Sequence, residues 1–393
     1  MHPLRELSLD ELRRRTSTKW SAYPDDVLPL WVAEMDVHLA EPVRRALHDA
    51  IVAGDTGYPD GRDYADAVAS FAIDRWGWSG LDPARTAGVA DVMSGVVEMI
   101  RLVSVAGDPV VVNPPVYPPF FGFVQHAGRS IVEVALSDDG RLDLDSLGAA
   151  FERASFGGRR VTYLLCSPQN PTAVVHTRDE LESVARLAAE YRVRVVVDEI
   201  HAPLAGPDFV PYLSVDGTED AYSLVSASKA WNLAGIKAAV AVGGAATSDE
   251  LASLPEVVSH GPSHLGVIAG VAAMTEGRDW LDALRADLDE NRALLDRLLA
   301  EHLPDVRWVR GPGTFLAWLD FRSLGLGDDP AATILDRSRV ALQPGPDFGH
   351  GIGYARLNYA TTPEILGAAV ARIASAVNGR PAVSPAAHRS ASP

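Results

Sequence analysis

Apolar residues in this chain gather into short unbroken runs rather than alternating ones. Val110-Val111-Val112, Val161-Thr162-Tyr163-Leu164-Leu165, Arg194-Val195-Val196-Val197, Tyr222-Ser223-Leu224-Val225 and Ala239-Val240-Ala241-Val242 recur between amphipathic stretches. Continuous β-branched runs are the pattern of strands covered on both faces, which predicts a mainly parallel sheet between helices. Thr177 to Tyr191 sets Leu181, Val184, Leu187 and Ala188 on one face and Asp179, Glu180, Glu182 and Arg186 elsewhere. That spacing predicts a crossover helix between two of the strands.

The pattern changes after about residue 275. Between Trp280 and Leu303, Leu281, Leu284, Leu288, Leu295 and Leu298 return at helical spacing. Thr314-Phe315-Leu316-Ala317-Trp318-Leu319 then predicts a strand, and Pro363 to Val377 a closing helix. The expected fold class is α/β in four parts. Residues 1–40, irregular and aromatic-rich, form an N-terminal segment packing on both domains; 41–274 form a large three-layer α/β/α domain. Residues 275–378 form a smaller α+β C-terminal domain, and 379–393, rich in Pro, Ala and Ser, a disordered tail. There is no internal repeat.

Composition narrows the class. With 47% hydrophobic residues in 393, the chain has material for a sizeable core. A formal net charge of −17 argues against nucleic acid or an anionic membrane as the main partner, so basic residues that matter act locally, inside a site. No apolar run approaches the roughly 18 residues of a membrane span, and Met1-His2-Pro3-Leu4-Arg5-Glu6 lacks a signal pattern. The single cysteine, Cys166, excludes an internal disulfide framework and reads as core filler inside an apolar run. Together these features predict a cytoplasmic protein.

In open parallel sheets, ligands bind beyond the carboxyl ends of the strands. Four predicted strands are followed there by chemically capable residues: Asn113 to Tyr117 after Val112, Cys166 to Thr172 after Leu165, Asp198-Glu199-Ile200-His201 after Val197, and Ser226-Ala227-Ser228-Lys229 after Val225. Lys229 has two readings by itself. It is an ordinary loop lysine, or it is an amine buried at a strand end, where lost proton affinity makes it a nucleophile suited to a Schiff base.

Five segments in order decide between them: Pro29-Leu30-Trp31-Val32-Ala33-Glu34-Met35-Asp36, Asn170-Pro171-Thr172, Asp198 to His201, Ser226 to Lys237, and Arg356-Leu357-Asn358. On these the chain resembles the fold-type I pyridoxal-phosphate-dependent aminotransferase superfamily over about residues 18 to 378. Its nearest likeness is to the cystathionine β-lyase-like branch (the MalY/PatB type), which cleaves C–S bonds. The resemblance implies pyridoxal 5'-phosphate as cofactor, an amino acid as substrate, no metal, and a homodimer with shared active sites. It assigns Lys229 to the Schiff base and to Cα proton transfer. It places Asp198 on the pyridine nitrogen, Asn170 on the phenolic oxygen and Tyr117 on the ring face, with a catalytic part for Tyr117 as well. The phosphate would take Ser226, Lys237, and backbone amides at Gly95 and Val96 in Ser94-Gly95-Val96-Val97. Tyr58 would reach the neighbouring subunit's phosphate and its substrate. Arg356 would clamp the substrate carboxylate, with Asp36 also beside the substrate.

Some residues depart from the family pattern, and none of the departures removes a catalytic group. His201 replaces a tyrosine common in aminotransferases and is typical of the lyase-like branch. Lys237 stands where an arginine is usual, and Ala173 follows Asn170-Pro171-Thr172 where a glycine is usual. Trp20, Tyr23, Trp31 and Phe120 suggest an aromatic entrance for a bulky thiol portion. The expected reaction is β-elimination from cystathionine or another S-substituted cysteine; the alternatives are transamination and a cofactor-binding regulator without catalysis.

Overall fold

The computed structural model describes residues 1–377 and Gly379; apart from that glycine, the expected tail lies outside the described residues. Seven strands form the main sheet: β1 (Thr86–Val89), β2 (Pro109–Val112), β3 (Ser130–Glu133), β4 (Val161–Cys166), β5 (Val193–Asp198), β6 (Tyr222–Val225) and β7 (Ala239–Gly243). Their order is β1-β7-β6-β5-β4-β2-β3. Only β7 is antiparallel to its neighbours, so the other six share one direction.

The unbroken apolar runs are explained by two cores, one on each face. Val111, Tyr163, Leu165, Val195 and Val197 pack with Leu147 and Phe151 of one helix and with Leu181 and Val184 of another. The intervening positions, Val110, Val112, Leu164, Val196 and Leu224, face Val96, Met99, Ile100 and Val103. The helices concerned are α1 (Val92–Val103), α2 (Leu144–Ser155) and α3 (Arg178–Tyr191). Helix α3 is the predicted crossover; Thr177 and Glu180 cap its start reciprocally. The sheet is thus the middle of three layers.

Beyond it, the long helix α4 (Arg278–His302) and the closing helix α5 (Pro363–Val377) pack on a second, antiparallel sheet. Its strands are β8 (Arg307–Trp308), β9 (Leu316–Asp320), β10 (Gln343–Pro344) and β11 (Tyr354–Asn358), in the order β10-β11-β9-β8. The first forty residues run between the two sheets' surroundings. The Leu4 amide donates to Asp287 of α4 at 3.0 Å, Leu28–Pro29 pairs with Val340–Ala341, and the Met35 amide donates to Asn232 at 2.8 Å. Among the described residues no helix is long and apolar enough to cross a membrane.

One close approach holds α1 to the sheet. A Cβ on Gly95 would lie 2.7 Å from a Leu224 methyl and 2.8 Å from a Val89 methyl, so only glycine lets the helix sit there. Gly95→Ala should therefore destabilise the fold by about 1–3 kcal/mol, read as a lower urea midpoint at unchanged slope. A midpoint equal to that of the native protein would refute the close packing.

Candidate active site

Because six strands point one way, β1, β2, β4, β5 and β6 all end at the same edge of the sheet. Strand β7 runs the other way, so its beginning, at Lys237 and Ala238, reaches that edge too. There the loops enclose a cavity of about 210 Å³. It brings together seven of the expected residues: Tyr117, Asn170, Asp198, His201, Ser226, Lys229 and Lys237.

Lys229 donates from Nζ to the Ala33 carbonyl at 2.9 Å. Burial, then the Arg356 charge, pushes its amine down to about 8, although Asp198 and Glu34 oppose the shift. Asp198 is buried at the end of β5, and loss of hydration raises its carboxyl to about 6. It accepts one hydrogen bond, from the Ile200 amide to Oδ1 at 3.0 Å; no hydrogen bond reaches Oδ2. His201 is buried against Phe315, with ring centroids 5.9 Å apart. Burial and the nearby Lys229 and Arg356 hold its imidazole well below the usual range, so it is neutral, and Nδ1 has no partner.

Arg356 lies behind Asn170. Its Nη1 donates to Asn170 Oδ1 at 3.1 Å and its Nη2 to the Trp31 carbonyl at 3.0 Å, while the buried Nε has no partner. The guanidinium sits 5.0 Å from the Phe348 ring centroid. Burial lowers it to about 10, where it is still a cation at neutral pH. With Oδ1 occupied, Asn170 is left with its amide N–H groups to offer the cavity. Tyr117 flanks the cavity with a phenol that burial keeps protonated, against the lowering influence of Arg356.

Four expected placements differ. The Gly95 amide already donates to the Asp91 carbonyl at 2.9 Å, and Val96 is buried in the core, so neither lines the cavity. Their glycine-valine signature belongs to packing against the sheet. Val92 and Met93, one turn earlier, line the cavity and precede the first intrahelical bond. The Ser226 hydroxyl donates to the Ala238 carbonyl at 2.8 Å and accepts from the Ser228 amide. Ser228 lines the cavity as well, and its hydroxyl has no partner among the described residues. Asp36 is in a buried ion pair with Lys19 at 2.8 Å and accepts from the Trp20 indole, away from the cavity. Trp20 and Phe120 are likewise buried, and Phe123 takes an aromatic place in the cavity wall.

Tyr58 is 86% exposed and does not line this chain's cavity. Ala173 adopts φ +60°, a left-handed turn that costs an L-residue roughly 1–2 kcal/mol and that glycine takes freely. Sequence reasoning also missed the supports. Tyr64, buried beneath the Lys229 loop, accepts the Ala227 amide at 2.8 Å. Asn232, at φ +58°, clamps both the amide and the carbonyl of Met35. That clamp adjoins residues 31–34, whose carbonyls accept from Arg356, Lys229 and Asn358. Asparagine tolerance of the left-handed region was the available signal. Among the described residues no group of three or more His, Cys, Asp or Glu is placed to hold a metal ion.

The chain belongs to the aminotransferase class I and II family, whose sequence pattern matches residues 39–373. It is 54% identical over 396 residues to a Mycobacterium tuberculosis (strain H37Rv) protein with a provisional cystathionine beta-lyase name, covering 95% of this chain and 97% of that one. The cystathionine beta-lyase of Corynebacterium glutamicum is 33% identical over 377 residues, 93% of this chain and 98% of that protein. A crystal structure from Corynebacterium diphtheriae, provisionally described as a PLP-dependent beta-cystathionase, superposes with a TM-score of 0.88 at 33% identity. That match covers 96% of this chain and all of the other. Within its family the chain therefore lies on the cystathionine β-lyase branch.

The lowered amine has a direct consequence. Below about pH 8 Lys229 is protonated and unreactive; above it the free amine is available. In cofactor-free protein, trapping of a small aldehyde at Lys229 with borohydride should be half-maximal near pH 8. Asp198→Asn removes a charge that favours the ammonium, so the midpoint should move lower still. A midpoint near the ordinary lysine value of about 10.4 would refute the burial of this amine.

Proposed function

We propose that the protein is a pyridoxal-phosphate-dependent C–S β-lyase, converting cystathionine or another S-substituted L-cysteine, with one water, to a thiol, pyruvate and ammonia. The observation that carries the reading is Lys229 with a lowered proton affinity on the same cavity as the half-satisfied carboxylate of Asp198, in a chain of the cystathionine β-lyase branch. The residues fit the cofactor: Asp198 Oδ2 is open for a pyridine N–H, Asn170 has a free amide donor, and Val92, Met93, Ser228 and Lys237 surround one end with N–H and O–H groups for a phosphate. Bound there, pyridoxal phosphate supplies a sink for the electron pair left when the substrate loses its Cα proton.

The chain's own groups do the rest. Arg356 carries a planar cation with an unpartnered Nε, suited to a substrate carboxylate. Lys229, free above about pH 8, takes the proton from Cα. Tyr117, protonated and at the cavity wall, is a proton donor for the departing sulfur. The carbonyls of Ala33 and Trp31 hold the Lys229 amine and the Arg356 guanidinium in place.

We further propose a homodimer in which Tyr58 serves the neighbouring subunit's cavity. Its support is the 86% exposure of Tyr58, together with the exposure of the apolar residues Ile51, Val52 and Val257. The same reading places the enzyme in the cytoplasm, consistent with one buried, unpaired cysteine.

Pyruvate and thiol should appear in equal amounts from an S-substituted cysteine with no keto acid present, and Lys229→Ala should lower the rate by about 10²–10⁴-fold or more. Turnover that requires a keto acid and releases no thiol would establish a transaminase instead. For the dimer, mixing Tyr58→Ala with Lys229→Ala, each of low activity, should restore about a quarter of native activity, because half of the mixed dimers' sites are intact. No gain on mixing would refute a shared site.

A further inference from the structure

The phosphate end of the cavity contains an acid. Asp91 Oδ1 accepts the Ser94 amide at 2.8 Å and so caps α1, while its Oδ2 lies 2.5 Å from Lys237 Nζ. Both side chains line the cavity. Besides Lys229, Lys237 is the only cationic side chain among the described residues lining it, since His201 is neutral. Burial alone would raise the Asp91 carboxyl, but its bonds to Lys237 and Ser94 outweigh that and hold it below the ordinary carboxylate value. Asp91 therefore keeps its negative charge beside the Lys237 amine. An anion bonded directly to Lys237 at about 2.8 Å lies within about 5.5 Å of the Asp91 carboxylate.

We propose that Asp91 sets how tightly this chain holds the phosphate of its cofactor, by pinning Lys237 and by placing a negative charge against the phosphate. The helix-end amides of Val92 and Met93, the Ser228 hydroxyl and Lys237 would by themselves make a strong anion site; Asp91 weakens it. This rests on the pyridoxal-phosphate reading above and goes beyond it, since a capping residue need not carry charge. Asparagine caps a helix as well as aspartate does, so Asp91→Asn removes the charge and keeps the cap.

The test titrates cofactor-stripped native protein and Asp91→Asn with pyridoxal phosphate and, separately, with pyridoxal, which lacks the phosphate, following the absorbance of the bound ring. Removing a unit charge at this range should tighten pyridoxal phosphate on the order of tenfold and leave pyridoxal unchanged. Asp91→Ser, which also caps, should move in the same direction if the asparagine variant folds poorly. Inorganic phosphate should raise the melting temperature of the variant more than that of the native protein. Unchanged or weaker pyridoxal phosphate binding, or an equal shift for both ligands, would overturn the proposal. Uptake of pyridoxal phosphate by neither protein is a separate result that overturns the cofactor reading itself, and this proposal with it.

Discussion

A sheet covered by helices on both faces can offer its chemistry only at the strand ends, and shared strand direction decides which end. Six of the seven strands here point the same way, so five loops of unrelated sequence are forced to meet along one edge. The reversed strand adds the loop that leads into its beginning, which brings Lys237 to the cavity from the opposite chain direction. Tight α1 packing through Gly95 is part of the same constraint, because it aims the start of that helix at this edge. Everything chemical in the molecule depends on that alignment.

The electrostatics follow from where the edge lies. Lys229, Arg356, Asp198 and His201 are all withdrawn from water, and each is displaced toward its neutral form by that withdrawal. The two cations are then steadied by backbone carbonyls of residues 31 and 33 rather than by carboxylates. A carbonyl is a weaker partner than an anion. Both groups are thereby kept in place without a hydrogen-bonded carboxylate to neutralise them.

Much of this was legible in the chain. The unbroken apolar runs at Val161 to Leu165 and Arg194 to Val197 identified buried strands because both of their faces are in fact covered. β3 was not legible: Ser130 and Glu133 are exposed on an edge strand, so no apolar run marks it. Of the site, residues that directly follow strands were found, since a buried strand delivers the polar side chains after it to the one edge where a ligand can sit. Residues acting through the backbone were not. Val92 and Met93 contribute by amide rather than side chain, and Gly95 was mistaken for them because a glycine at a helix start suits anion binding and close packing alike. Asp36 was misplaced for a related reason: carbonyls of its neighbours in sequence meet Lys229 and Arg356, but its own side chain turns to Lys19.

The segment that holds Lys229 and Arg356 lies far from both in the sequence. Ala33 and Trp31 bond to residues 196 and 325 positions later in the chain. Contacts of such long separation close slowly, since the intervening chain must be ordered first. The surroundings of Lys229 and Arg356 are thus complete only when partners far apart in the sequence have met.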